Sequence, residues 1–244
     1  MDTKENLLFE AIYDQIEIFG DELFSELAED NRKEIAPDDE KSEIDFIMPK
    51  TTLFENFAEY KDLDSFYEAI HKCTNCPLGS TRTNFVFGVG NPNADVMLIG
   101  EAPGAEEDKQ GIPFVGRAGK LLTDILKAIK FEREDVYIAN ILKCRPPNNR
   151  NPLPAEMSEC IPYLYKQIEL IKPKVILCLG LVAANSLLNQ KSSLTKLRGN
   201  IFEIQGIKAM VTYHPAALLR NPGWKRGCWE DVQQFRKLYD ELQK

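Results

Sequence analysis

No apolar run in the 244-residue chain approaches the roughly 20 residues a membrane-spanning helix needs, and the start, MDTKENLLFE, lacks the basic-then-apolar layout of a secretory signal. The expectation is therefore a cytoplasmic protein with no membrane partner. Internal repeats and low-complexity tracts are missing, which excludes solenoids and fibrous arrays. Histidine is scarce, at two residues, so each is worth weighing for chemistry. Hydrophobic residues make up 43% of the chain, enough for the core of one ordinary domain with an appendage.

The net charge of −8 argues at first against a polyanionic partner. Its distribution changes that. Residues 1–65 carry 20 acids and 6 bases, whereas residues 172–244 carry 5 acids and 12 bases. Surface potential follows local density, so the body of the chain can present a basic face to nucleic acid, although composition alone favours a solvated lysine-rich surface.

Leu8, Ile12, Ile16, Phe19, Leu23 and Leu27 recur at helical spacing, and the charged, proline-punctuated stretch 28–50 reads as a linker. The expectation is an acidic N-terminal helix plus linker over 1–50 and a domain over 51–244. Within the domain, apolar β-rich runs at 94–100, 135–141, 174–180 and 207–213 alternate with helical patterns. That order predicts a parallel sheet of four strands covered on both faces, with the ligand site at the strands' carboxyl ends. The loop GEAPGAEEDKQGIPFVGRAG (100–119) begins at one such end and opens like a phosphate cradle, yet Glu101, Glu106, Glu107 and Asp108 would repel a phosphate.

Six cysteines in such a chain do not suggest a disulfide framework. Cys73 and Cys76 form a C-x2-C pair, and Cys144 and Cys160 stand alone further on. Four thiolates suffice for zinc or an iron-sulfur cluster; one pair plus two singletons leans toward iron-sulfur, and from spacing alone a metal site and a chance arrangement stand level. Cys178 lies inside the strand pattern VILCLG, Cys228 begins the last helix without an assigned role, and His71 reads as a helix-end residue or a further zinc ligand.

GEAPGAEEDKQGIPFVGRAG, NILKCRPPNNRNP, the four cysteines and YHPAALLRNP, in that order, closely resemble the iron-sulfur type, or family 4, of uracil-DNA glycosylases over roughly residues 65–240. The resemblance implies a three-layer α/β/α sandwich with a central, mainly parallel four-stranded sheet. It implies a [4Fe-4S] cluster on Cys73, Cys76, Cys144 and Cys160, and hydrolytic removal of uracil from DNA. By the same resemblance, Gly100 and Phe114 belong to the base pocket, Phe114 as the stacking face. Asn140 is the uracil reader, its amide complementary to N3–H and O4 and mismatched to cytosine. His214 donates to the oxygen where charge grows in the transition state.

Glu101, Glu107 and Asn149 match positions linked to activity, with the water-handling group among them open. Ala102 stands where another family has the aspartate of GQDPY, so that role cannot be transferred. Glu106 and Asp108 read as solvated loop charges. HPAALLRNPGWKR resembles the loop that enters the duplex, which implies that Leu218 or Leu219 fills the vacated stack with Arg220, Lys225 and Arg226 on phosphates, the alternative being that both leucines pack against the sheet; Arg117 lies at a glycine-rich helix start that can hold another phosphate. Two readings compete: a uracil-DNA binding protein without turnover, weakened by the missing KRRIH-type loop, and an iron-sulfur electron-transfer protein. The expected partner is uracil-containing DNA, bound by a monomer, with the N-terminal helix available to dock on another protein.

Overall fold

The structure is a computed structural model that describes residues 57–244; the acidic helix and linker expected over 1–50 lie outside the described residues. Helix α1 (Leu63–Ile70) starts where the Asp62 carboxylate accepts the Ser65 N–H at 2.7 Å. A single turn, α2 (Leu78–Thr81), leads to β1 (Val89–Gly90) and β2 (Val96–Gly100). Helices α3 (Ala105–Gln110) and α4 (Arg117–Ala128) precede β3 (Tyr137–Asn140). Then follow α5 (Pro154–Ile171), β4 (Val175–Leu179), α6 (Leu181–Leu188), α7 (Leu194–Leu197) and the strands β5 (Phe202–Ile204) and β6 (Ile207–Thr212). The short α8 (Pro215–Arg220) and the long α9 (Lys225–Leu242) close the chain.

The strands form one sheet in the order β1-β3-β2-β4-β6-β5. The four strands read from the sequence are its parallel centre. The sheet is nonetheless mixed and six-stranded rather than four-stranded, because β1 and β5 add short antiparallel edges. β5 and β6 make a hairpin whose turn residues, Gln205 and Gly206, sit at φ 51° and 80°, the left-handed pair that matches strand twist.

Residues of the central strands alternate between two buried faces. Met97, Ile99, Ile176 and Cys178 pack toward α1, α5 and α6, while Val96, Leu98, Val175 and Leu177 pack toward α4 and α9. Burial on both sides explains why these strands read as continuous apolar runs. The acidic AEEDKQ stretch is helix α3 rather than open loop. Asp108 within it is buried, its carboxylate accepting the Thr83 N–H at 2.9 Å, so it braces the fold and is not a solvated charge. Glu106 is exposed and pairs with Lys109 at 2.8 Å. Among the described residues no helix is long and apolar enough to cross a membrane.

Gly90 in β1 has φ 128°, and a methyl group there would run into the Val136 carbonyl. Gly90→Ala is expected to lower stability by about 1–3 kcal/mol, read as a shifted denaturation midpoint; an unchanged midpoint would show that the β1 edge yields freely.

Candidate active site at the carboxyl ends of the strands

Gly100 ends β2, Asn140 ends β3, Gly180 follows β4 and His214 follows β6, so four of the parallel strands deliver residues to one edge of the sheet. A cavity of about 340 Å³ opens there, lined by Glu101, Glu107, Phe114, Asn140, Asn149 and His214 together with residues 102–104 and 150–151. It holds every pocket residue expected from the sequence except Gly100, which lies behind the wall. A Cβ on Gly100 would come within 2.5 Å of Asn140 Oδ1 and 2.6 Å of the Phe114 ring, so glycine is what lets these two side chains meet.

Asn140 is 2% exposed, and its amide oxygen is buried with no hydrogen-bond partner among the described residues. An orphan acceptor of this kind costs about 1–3 kcal/mol. A ligand N–H aimed at it removes the penalty. The strand end carrying Asn140 is fixed from below by Lys143. This fully buried ammonium donates to the Asn140 carbonyl at 2.9 Å and to Gln167 Oε1 at 2.6 Å. Gln167 in turn donates to the Phe87 carbonyl at 2.9 Å.

Phe114 is held at φ 53°, a left-handed backbone uncommon for an aromatic residue. Glu107 supports that turn. One carboxylate oxygen accepts the N–H groups of Val115 and Gly116 at 2.9 and 3.1 Å, and the other caps α3 through Gly104 N–H at 3.1 Å. With both oxygens committed, Glu107 is a brace for the Phe114 loop. Gly119 completes the arrangement, since a methyl group there would collide with the Phe114 carbonyl.

His214 lies 5.5 Å from the Phe114 ring, centroid to centroid, and its Nδ1 accepts the Ala216 N–H at 3.2 Å as the N-cap of α8. An accepting Nδ1 requires the proton to reside on Nε2 in the neutral ring. Burial and the nearby Arg220 cation push its pKa down to about 4, against a weaker opposing pull from Glu107. The ring is therefore a neutral donor at pH 7. Gly180, at φ 91°, leaves room for it: a Cβ there would stand 3.0 Å from His214 Cβ.

Burial, with no hydrogen bond contributing, pushes the Glu101 carboxyl above its ordinary value. Unlike Glu107, it is not committed to backbone donors. Asn149 stands across the cavity, φ 54°, its side-chain oxygen accepting from Arg145 Nε at 2.7 Å. Its loop is anchored by Arg150, which makes a two-pronged ion pair with buried Glu156 at 2.6 and 2.9 Å. Glu156 also accepts the Leu153 N–H at 2.8 Å. Arg150 and Glu156 were not singled out from the sequence, although proline then glutamate at the start of α5 is a helix-start signal.

Arg220 lines the cavity; Arg117, Arg220 and Arg226 are exposed and Lys225 is half-buried. Arg117 begins α4 and Arg220 ends α8, two helices in contact. Helix phase separates the leucine pair: Leu218 is wholly buried in the core beside α4, whereas Leu219 is 38% exposed.

The expected metal ligands occupy a separate corner. Cys144 and Cys160 are buried, and Cys73 and Cys76 pack against the same core. Polar donors aim at three of the sulfurs. Arg82 Nη1 reaches Cys144 Sγ at 3.2 Å, the Lys143 N–H reaches Cys160 Sγ at 3.2 Å, and Tyr163 O–H reaches Cys73 Sγ at 3.1 Å. Donors of this kind suit thiolates. Burial pushes the Cys160 thiol up to about 12 against the opposing pull of Lys143, so a bound cation is what would keep it ionised. Among the described residues no three His, Cys, Asp or Glu side chains close on a single metal ion, and His71 takes no place beside the sulfurs as a ligand; its Nδ1 faces the Tyr67 carbonyl at 3.1 Å.

Residues 87–243 match the family model described as the uracil DNA glycosylase superfamily. A type-4 uracil-DNA glycosylase of Thermotoga maritima is 51% identical over 175 residues, covering 70% of this chain and 91% of that protein. One of Archaeoglobus fulgidus is 43% identical over 191 residues, covering 75% and 96%. One of Sulfurisphaera tokodaii is 44% identical over 185 residues, covering 72% and 84%.

The imidazole geometry is testable without any assay of activity. NMR of ¹⁵N-histidine-labelled protein is expected to show His214 as the Nε2–H tautomer, titrating near about 4. Because its folded pKa is depressed, the neutral ring's contribution to stability is full above about 6.5 and is lost as pH falls toward the folded value. A titration near the ordinary histidine value would contradict the arrangement.

Proposed function

The chain belongs to the type-4 uracil-DNA glycosylases of the uracil DNA glycosylase superfamily, and from that premise we propose a division of labour among its residues. The protein is a DNA-repair hydrolase that cleaves the N-glycosidic bond of uracil in DNA. A base inside a duplex is out of reach, so the uracil nucleotide is flipped into the cavity at a cost of a few kcal/mol.

The observation that carries the assignment of roles is the unpartnered Oδ1 of Asn140. Uracil offers N3–H to it; cytosine presents an acceptor at the same position and would leave two lone pairs facing each other. Phe114 stacks on the base. His214, neutral and carrying its proton on Nε2, donates to O2, where negative charge collects as the bond from C1′ to N1 stretches and its electron pair passes to the base. A neutral donor suits this step, since a buried imidazolium would need its own counter-charge. Glu101, with its raised pKa and uncommitted oxygens, receives the proton of the water that attacks C1′, and Asn149 helps to orient that water. The same carboxylate stabilises the sugar as it turns positive. Glu107 acts through Phe114 rather than on the water.

Cys73, Cys76, Cys144 and Cys160 would hold a [4Fe-4S] cluster, whose contribution when bound is to crosslink the segment before the sheet to the two segments flanking the Asn149 loop. Lys143 joins this corner to the pocket, with its backbone on Cys160 and its ammonium on the Asn140 carbonyl. Arg117, Leu219, Arg220, Lys225 and Arg226 hold DNA. The protein acts as a monomer in the cytoplasm, and residues 1–50 serve as a docking segment for another protein.

Alkali cleavage of a uracil-containing oligonucleotide after incubation tests the assignment. His214→Ala and Asn140→Ala are each expected to lower the single-turnover rate by about 10²–10³ while iron content stays unchanged; full activity in either would remove that residue from the mechanism. Cys144→Ala is expected to lose iron and soluble yield, and a normal yield of active protein would overturn the crosslinking role.

A further inference from the structure

The sequence RNPGWKR places an indole between Arg220, which lines the cavity, and Arg226, and the mechanism above leaves it unused. Trp224 ends a short 3-10 turn (Pro222–Trp224) and is 44% exposed. Singly exposed apolar side chains such as Ile201 and Leu153 are ordinary on a protein surface. Trp224 differs in what stands behind it. Its ring stacks on Tyr213, with centroids 5.2 Å apart and planes at 23°. The same tyrosine ring carries the Arg198 guanidinium at 4.2 Å, and Arg198 donates to the tyrosine oxygen at 2.8 Å. Arg198 is gripped by buried Asp231 through two hydrogen bonds, at 2.6 and 3.1 Å, and Asp231 also accepts from Thr212 at 2.7 Å. Gly227 makes this possible, because a Cβ there would lie 2.5 Å from Arg198 Nη2.

We propose that Trp224 is a stacking platform for an unpaired nucleobase of the DNA strand near the uracil, a role that rests on the reading of the protein as a DNA enzyme. An aromatic face held by four successive partners loses little entropy when a second ring lands on it. Arg220 and Arg226 flank it in sequence and are both exposed, Arg226 within an exposed ion pair to Glu230 at 3.4 Å, and they offer phosphate contacts to the strand that carries the base. Stacking accepts every base, which suits an enzyme whose target occurs in any sequence context. Tyr213, the support, directly precedes His214, so the platform and the catalytic ring share one stretch of backbone at the end of β6.

The test uses the full-length iron-loaded protein and a labelled single-stranded oligonucleotide without uracil, so that binding is read apart from excision. Trp224→Ala is expected to weaken Kd by about tenfold, the loss of one base stack, while Trp224→Phe stays within about threefold. Intact duplex, having no unpaired base, should be affected less. The slope of log K against log salt should be unchanged in Trp224→Ala, in contrast to Arg226→Gln, which should flatten it by about one phosphate contact. Wild-type tryptophan emission should be quenched on binding, and the quench should vanish in Trp224→Phe. An unchanged Kd in Trp224→Ala, a loss confined to duplex, or a lower single-turnover excision rate at saturating DNA with Kd intact would each overturn the proposal. Failure of the wild-type protein to excise uracil would instead overturn the function proposed above.

Discussion

The pocket is organised around one buried oxygen. Asn140 Oδ1 sits at the carboxyl end of a central strand with no partner, in a protein that otherwise satisfies nearly every buried side-chain polar atom among its described residues. Such an atom persists only where the surroundings hold it in place and a ligand relieves it. The surroundings are specific. Gly100 clears the space beside it, Lys143 fixes the strand end from beneath, and Phe114 closes the other side.

Rigidity near this atom comes from groups whose charges are internally committed. Glu107 spends both oxygens on backbone N–H groups that hold a left-handed phenylalanine. Glu156 does the same for the Asn149 loop through Arg150 and Leu153, and Asp231 does so for Arg198 below Tyr213. These carboxylates are structural, which leaves Glu101 as the pocket carboxylate with capacity for chemistry. The two pocket carboxylates after β2 thus differ: Glu107 is committed to backbone N–H groups and Glu101 is not. The cysteine corner extends the same logic, since Lys143 is shared between Cys160 and Asn140.

The central strands were legible because burial on both faces writes an unbroken apolar run. The edges were not: β1 has two residues, and β5 has three with a Gln-Gly turn in place of the usual Asn-Gly signal. The family motifs point to residues that line one cavity, yet not to how each is held there. Glu107's commitment depends on where the amides of Val115 and Gly116 fall in space, eight and nine positions away. Asp108 read as solvated because its partner, the Thr83 amide, is 25 residues away. Leu218 and Leu219 could not be separated until the six-residue α8 fixed which of them faces inward.

The central claim, that the orphan oxygen of Asn140 reads the imide N–H of the base, is tested most directly with the free base alone. Titration of ¹⁵N-labelled protein with uracil and with 3-methyluracil isolates that one hydrogen, since the two differ only at N3. The account predicts that uracil shifts the His214 Nε2 resonance and saturates, whereas 3-methyluracil binds at least about tenfold more weakly because the oxygen stays unpartnered. Equal binding of the two bases would contradict it.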